Sequence, residues 1–225
     1  MFSNLPRITR ALLVANVVVF LLQLALGDGR QPPGAGALDA LKLWPWGTGG
    51  GVSASFMPWQ LLSYGFLHDT GNFAHLVFNM LALVMFGAQV EYVWGPRRFL
   101  AYYLVCVAGA GFCQLLVGSW MLANGGDAYP TIGASGGVFG LLLAYGMLFP
   151  NQRVMLLIPP VPMKARTLVF VYGAVALLLG FTGLQPGVAH FAHLGGMLFG
   201  YLLIRYWRGS PPFGRGGRGR PRIVR

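Results

Sequence analysis

Charged residues are what this sequence has least of. Only 9% of its 225 residues are charged and just five are acidic, whereas hydrophobic residues make up 56%. A soluble domain averages about 25% charged residues. This composition excludes a soluble globular protein and predicts an integral membrane protein.

Cysteine is also scarce, since Cys106 and Cys113 are the only two. They lie seven residues apart in one apolar segment, which in a helix separates them by roughly 10 Å, too far for a disulfide. We interpret both as packing residues, so they carry no information about the redox compartment.

The apolar segments predict the fold class. Six of them approach the length of about 20 residues that a helix needs to cross a bilayer. A seventh, at 56–67, is too short to cross and contains Pro58 and Trp59, which favours an interfacial or re-entrant piece. We predict an all-α membrane protein, a six-transmembrane-helix bundle with an interfacial first outer loop. The predicted spans are 11–27, 73–92, 99–118, 132–149, 167–183 and 188–206.

The two ends of the chain are interpreted differently. The first span follows Arg7 and Arg10 but is not followed by a clear small-x-small cleavage site, so we expect a retained helix and not a signal peptide. Residues 209–225 are mostly Gly, Pro and Arg, which cannot bury a core. We therefore divide the chain into a membrane domain, 1–208, and a disordered basic tail, 209–225.

The basic residues predict the orientation. With six spans, 14 of the 16 Lys and Arg residues share one side of the membrane with both termini, and only Arg30 and Lys42 fall on the other. The positive-inside rule places the richer side in the cytoplasm. The net charge of +11 then reflects topology. Nucleic acid is not an expected partner, and the arginines of the tail instead favour anionic membrane lipids.

Four polar residues sit near the starts of three of the apolar spans. His75 and Asn79 lie near the start of the second span, Ser135 near the start of the fourth, and His193 about five residues into the sixth. These three spans run in the same direction, so the four side chains lie at similar depth below the outer surface. Polar side chains are costly to bury in a bilayer, which makes these residues functional candidates.

Small residues near these positions predict that the helices approach closely. Gly136 and Gly140 form one small-xxx-small pair in the fourth span, and Gly196 and Gly200 form another in the sixth. Close packing of the two spans would bring the Ser135 hydroxyl within reach of the His193 imidazole. Phe139, one turn below Ser135, would pack against that imidazole ring.

A serine, a histidine and two further hydrogen-bond donors are what acyl-transfer chemistry needs. The fourth and sixth spans contain no Asp or Glu, so the expected arrangement is a Ser–His dyad without a carboxylate. Glu91, at the cytoplasmic end of the second span, is expected to form an ion pair with Arg97 or Arg98.

Other interpretations remain open for each residue alone. Ser135 suits helix capping or packing, Asn79 suits helix–helix contact, and His193 suits a satisfied core histidine. The same polar residues would also serve a non-catalytic scaffold or transporter. A zinc enzyme using His68, His75, His190 and His193 is a further alternative, although the chain lacks His-Glu-x-x-His.

Taken together, the motifs resemble those of the rhomboid family of intramembrane serine proteases. The resemblance covers residues from about 58 to 206 and includes His75-x-x-x-Asn79, Gly133-x-Ser135-Gly136 and Ala192-His193-x-x-Gly196. Glu91 followed by Gly95 and Phe99 is also similar to the family's junction between the second and third spans. The chain departs from the family in its first outer loop, where Trp59-Gln60 replaces the frequent Trp-Arg.

The resemblance implies a helical bundle around a water-filled cavity open to the outside. It implies Ser135 as nucleophile, His193 as general base, and His75, Asn79 and the Ser135 backbone amide as the oxyanion hole. The implied partners are transmembrane protein substrates, cut near their outer end. No cofactor and no metal are implied, and the basic six-span form implies a bacterial cytoplasmic membrane.

Reporter fusions test the predicted orientation. Green fluorescent protein fused after Trp207 should be bright, and alkaline phosphatase at the same position inactive, because the phosphatase needs disulfides that form outside the cytoplasm. Fusions inside the loop 28–60 should give the opposite pattern. Active phosphatase after Trp207 would contradict the orientation.

Overall fold

The helices of the computed structural model follow the predicted spans. The structure describes residues 5–28, 35–48, 55–155, 161–182 and 189–209. Most of the predicted tail, 210–225, and parts of the first loop, 29–34 and 49–54, lie outside the described residues. The helices are α1 Arg7–Ala25, α2 Gln60–Ser63, α3 Phe73–Ala82, α4 Ala88–Ala123, α5 Ser135–Leu148, α6 Ala165–Thr182 and α7 His190–Trp207.

Shorter elements connect these helices. A π-helical turn, Leu83–Gly87, joins α3 to α4, and 3-10 turns occupy Asp39–Leu41 and Tyr64–Phe66. Between α5 and α6, strands β1 Arg153–Met155 and β2 Pro162–Lys164 pair antiparallel, with Val154 opposite Met163. The segment 56–67, predicted to be too short to cross, contains only α2 and the second 3-10 turn.

The second and third predicted spans form one helical run that breaks at Gly95. The run from Phe73 to Ala123 has 51 residues, about 77 Å if straight, against a bilayer core of about 30 Å. Gly95 has φ 76° and ψ 166° inside this run, and Pro96 follows it. This left-handed position suits glycine, and it divides the run where the sequence predicts a loop.

Length and exposure agree with a multi-pass membrane protein. Among the described residues, three helical runs, Arg7–Ala25, Phe73–Ala123 and Ala165–Thr182, are long and apolar enough to cross a bilayer, and α5 is a shorter apolar helix. On α6, Phe170 and Phe181 are each 77% exposed. Large apolar side chains that are exposed on the helix surface indicate a surface that contacts lipid.

Helix α5 lies at the centre of the bundle. It packs against α4, α6 and α7, and nine of its 14 residues are buried. On α4, Phe99, Tyr102 and Tyr103 are fully buried. The Tyr102 hydroxyl donates to the backbone carbonyl of Gly140 at 2.8 Å, which links α4 directly to α5.

Helix α1 attaches to the bundle through buried polar side chains that recur every seven residues. Thr9, Asn16 and Gln23 are all 0% exposed, and seven residues are about two helical turns, so they share one face. Within the part of the chain that the structure describes, Asn16 donates only to Leu12 of its own helix, at 2.7 Å. Thr9 and Gln23 instead bond to other parts of the chain.

Glu91 stabilises the first turn of α1, which corrects its predicted role. Its carboxylate accepts hydrogen bonds from the Ile8 amide at 2.9 Å, the Thr9 amide at 2.7 Å and the Thr9 hydroxyl at 2.8 Å. The predicted ion pair with Arg97 or Arg98 is wrong. Helix α1 has no capping side chain of its own, so its unpaired amides attract this carboxylate from α4.

Replacing Glu91 with Gln tests this cap. The amide offers one acceptor oxygen in place of two and removes the charge, so Glu91→Gln should lower the free energy of unfolding by about 2 kcal/mol. Thermal unfolding in detergent measures the change. Thr9→Val, which removes one of the three bonds, should have a smaller effect, and an unchanged Tm in Glu91→Gln would contradict the cap.

Candidate active site

Ser135 lies at the first turn of α5. The turn that precedes the helix is held by the Gly133 amide, which donates to the Tyr64 carbonyl at 3.0 Å, and by a paired bridge between Leu43 and Thr131. The first bond of the helical ladder runs from the Val138 amide to the Ala134 carbonyl. The Ser135 amide therefore precedes the ladder and is available to a ligand.

His193 lies in the first turn of α7 and faces Ser135. Its Nε2 atom is 2.8 Å from Ser135 Oγ, within hydrogen-bond distance. The Phe139 ring stacks on the imidazole, with ring centroids 4.1 Å apart and an interplanar angle of 4°. The predicted contacts of His193 with Ser135 and with Phe139 are both confirmed.

The contact depends on the close approach of α5 and α7. A β-carbon on Gly196 would collide with the backbone carbonyl of Gly136, and one on Gly200 would collide with the Tyr102 hydroxyl. Gly140 leaves equally little space beside Cys106 of α4. Both predicted glycine pairs therefore lie where backbones or bulky side chains touch.

His75 and Ser135 face the same point beside Gly133. Gly133 has φ 127°, and a β-carbon there would lie 2.9 Å from His75 Nε2 and 3.8 Å from Ser135 Oγ. His75 Nδ1 accepts a hydrogen bond from the Asp69 amide at 3.2 Å. Because that amide can only donate, this contact favours the neutral tautomer with its proton on Nε2, the atom directed towards Gly133.

Asn79 lies one turn after His75 on α3. It is 6% exposed, and its Nδ2 atom donates to the His75 carbonyl at 2.8 Å. The amide group has two N–H donors, so one bond to the helix leaves the second available. The structure thus places Ser135, His193, His75 and Asn79 around one region, as the sequence predicts.

The two other histidines flank this group. The His68 ring is fully buried with its centroid 5.2 Å from that of His75, and burial, with the neighbouring His75, lowers the pKa of His68 to about 4. His190 is 6% exposed and its ring meets that of His193 edge-on at 6.0 Å. Across the described ranges, no three His, Cys, Asp or Glu side chains are grouped to share a metal ion.

A large cavity opens onto these residues. Its volume is about 1040 Å³, at the upper end of small-molecule sites. It runs along α5 from Ser135 to Leu142 and reaches Val154 and Met155 of β1. Its other walls include Phe78 of α3 and both Leu168 and Tyr172 of α6. The walls are mostly apolar, with the polar residues gathered at the end near Ser135.

Sequence reasoning did not foresee the role of Asp69. The group that fixes the His75 ring is the Asp69 backbone amide, and a backbone amide has no residue-type signal. Tyr172, which lines the cavity beside Phe139, was also missed, because an aromatic residue in an apolar span looks like any lipid-facing residue.

The fold and the site define a multi-pass helical membrane protein with a serine–histidine pair at one end of an apolar cavity. The family model described as Rhomboid domain matches residues 55–209. The chain belongs to the rhomboid family.

Several curated proteins share this similarity. RHOMBOID-like protein 4 of Arabidopsis thaliana is 37% identical over 148 residues, which are 64% of this chain and 33% of that protein. Rhomboid protein 1, mitochondrial, of Saccharomyces cerevisiae is 34% identical over 145 residues, 64% of this chain and 40% of that protein. Rhomboid protease AarA of Providencia stuartii is 31% identical over 147 residues, 61% of this chain and 51% of that protein. The matched region thus spans about a third to a half of these relatives.

Adding a methyl group at Gly196 tests the approach of α5 and α7. Gly196→Ala should lower the Tm markedly, because the obstacle is the rigid backbone of Gly136 and overpacking costs about 1–3 kcal/mol or more. Gly118→Ala is the matched control, since its β-carbon would lie in ordinary contact, 3.6 Å from Pro45. Equal Tm values for the two variants would contradict the close backbone contact.

Proposed function

We propose that this protein is an intramembrane serine endopeptidase that cleaves transmembrane segments of other membrane proteins with a Ser135–His193 dyad. The observation that carries the proposal is the 2.8 Å separation of His193 Nε2 and Ser135 Oγ, held between two helices at the end of a cavity. Membership of a family that includes a protein named Rhomboid protease AarA supports the same reaction class.

In the proposed mechanism, His193 acts as general base and then as general acid. Its Nε2 accepts the hydroxyl proton while Ser135 Oγ forms a bond to the scissile carbonyl carbon. The same nitrogen then gives the proton to the leaving amine as the C–N bond breaks. Water then attacks the acyl carbon as His193 takes its proton, the bond between that carbon and Ser135 Oγ breaks, and His193 returns the proton to Oγ. The Phe139 ring, parallel to the imidazole, keeps Nε2 in line with Oγ without a carboxylate.

The oxyanion of the tetrahedral intermediate would be held by three donors. These are His75 Nε2–H, the second N–H of the Asn79 side-chain amide, and the backbone amide of Ser135. His75 suits this role because the Asp69 amide occupies its Nδ1 atom. Each such donor typically contributes about 3–4 kcal/mol in the transition state.

The substrate class follows from the cavity. An apolar groove of about 1040 Å³ lined by α3, α5 and α6 suits an apolar segment entering from the bilayer. The segment must unwind before its backbone reaches Ser135, so helix-weakening Gly or Pro residues should favour cleavage. We further propose cleavage near the outer face, after a small residue, with both termini of the enzyme in the cytoplasm.

Labelling by a fluorophosphonate probe tests the dyad. Purified wild-type protein in detergent should be labelled, and both Ser135→Ala and His193→Ala should lose the label, because the hydroxyl is activated only with both partners present. Cleavage of a single-span fluorescent peptide should fall at least about a thousandfold in each variant. Ser63→Ala is the matched control, since Ser63 Oγ donates to the Leu41 carbonyl at 2.8 Å, away from the cavity lining.

The alternatives give different results. A scaffold or transporter predicts no labelling of folded wild-type protein and no effect of Ser135→Ala on its binding or transport. A zinc enzyme predicts peptide cleavage that survives in Ser135→Ala and stops with a chelator. Either pattern would overturn the proposed function.

A further inference from the structure

The side chain of Gln23, on α1, forms two hydrogen bonds with the backbone of His68, just before the site. Its Oε1 atom accepts the His68 amide at 2.8 Å, and its Nε2 atom donates to the His68 carbonyl at 2.9 Å. One side-chain amide thus satisfies both backbone groups of a single residue, as a neighbouring strand would. Gln23 is 0% exposed, so this pairing is shielded from water.

The backbone amide of the next residue, Asp69, contacts the imidazole ring of His75. The carbonyl of His68 and the amide of Asp69 belong to the same peptide unit, so fixing one fixes the direction of the other. The Asp69 amide donates to His75 Nδ1 at 3.2 Å. Through one rigid peptide plane, Gln23 therefore determines where that amide points.

Gln23 also bonds to an ion cluster formed by Asp28, Lys42 and Asp39. Its Nε2 atom also donates to Asp28 Oδ2 at 2.8 Å, and Lys42 Nζ lies 2.7 Å from Asp28 and 2.7 Å from Asp39. Burial alone would lower the pKa of Lys42, but hydrogen bonds and charge interactions with the two carboxylates raise it above the ordinary value. The bond to Asp28, which is itself held by Lys42, keeps the Gln23 amide in one orientation.

We propose that Gln23 is a positioning residue for His75: through the peptide between His68 and Asp69 it keeps the proton of His75 on Nε2, directed at the oxyanion. This inference rests on the proposed function for its effect on catalysis. Gln23 lies on α1, outside the cavity lining, so it acts only through other residues.

The position of the proton can be measured directly. The chain has four histidines, so ¹⁵N-histidine NMR in detergent resolves the protonated nitrogen of each, and a His75→Gln sample identifies the His75 signals. In wild-type protein His75 should carry its proton on Nε2 alone. In Gln23→Met, which fills similar space without hydrogen bonds, the proton should be shared between Nδ1 and Nε2.

Kinetics of labelling give the second measurement. With the fluorophosphonate probe, Gln23→Met should lower the maximal labelling rate at least about tenfold, since misplacing a group by about 1 Å can cost about 100-fold. The half-saturating probe concentration should not change, because the cavity walls are intact. In a His75→Ala background, Gln23→Met should cause no further loss.

Asn16→Leu is the matched control. Asn16 is equally buried on the same face of α1, two turns earlier, and among the described residues its side chain bonds only to its own helix. Its variant should keep the wild-type proton position and a labelling rate within about twofold of wild type. Equal losses in Asn16→Leu and Gln23→Met would show that α1 packing is responsible and would overturn the proposal.

Each remaining outcome decides the inference. A wild-type His75 protonated on Nδ1 overturns it even if Gln23→Met does not fold, and so does a folded Gln23→Met with an unchanged proton position. An additional rate loss in the His75→Ala background also overturns it. If wild-type protein is not labelled at all, the proposed function fails, while the NMR measurement still decides whether Gln23 positions His75.

Discussion

The contact between the backbones of α5 and α7 is the constraint on which the site depends. Ser135 and His193 are 58 residues apart in sequence, and the bond between their short side chains requires the helices to approach more closely than ordinary side chains allow. Gly136 and Gly196 permit this approach, because a β-carbon on Gly196 would meet a carbonyl oxygen. In lipid, such packing supplies much of the attraction between helices.

Buried polar side chains hold α1 in position against the rest of the bundle. Glu91 accepts three hydrogen bonds at one end of α1, and Gln23 makes its bonds to His68 and Asp28 at the other end. Unpaired polar groups are costly in an apolar interior, so each satisfied pair favours one arrangement of the helices. Gln23, which fixes one end of α1, therefore also fixes the segment that leads to His75.

Much of the fold was predictable because hydrophobic length and polar interruptions are properties of single segments. The six predicted spans correspond to helices or parts of helices, and the small-residue pairs predicted the contact of Ser135 with His193. The ion pair predicted for Glu91 was wrong. Closeness in sequence favoured Arg97 and Arg98, whereas the unpaired amides of α1, 82 and 83 residues away, offer hydrogen bonds as well as positive potential.

The sequence by itself determined that the chain is a helical membrane protein and which polar residues interrupt its spans, because composition and spacing are local. Only the tertiary structure decided which backbone amide meets His75 Nδ1, how the cavity extends along α5, and that the Gln23 side chain bonds to the His68 backbone. These features depend on backbone atoms brought together from distant segments. A backbone amide or carbonyl is the same in every residue type except proline, so its partner cannot be identified from the order of side chains.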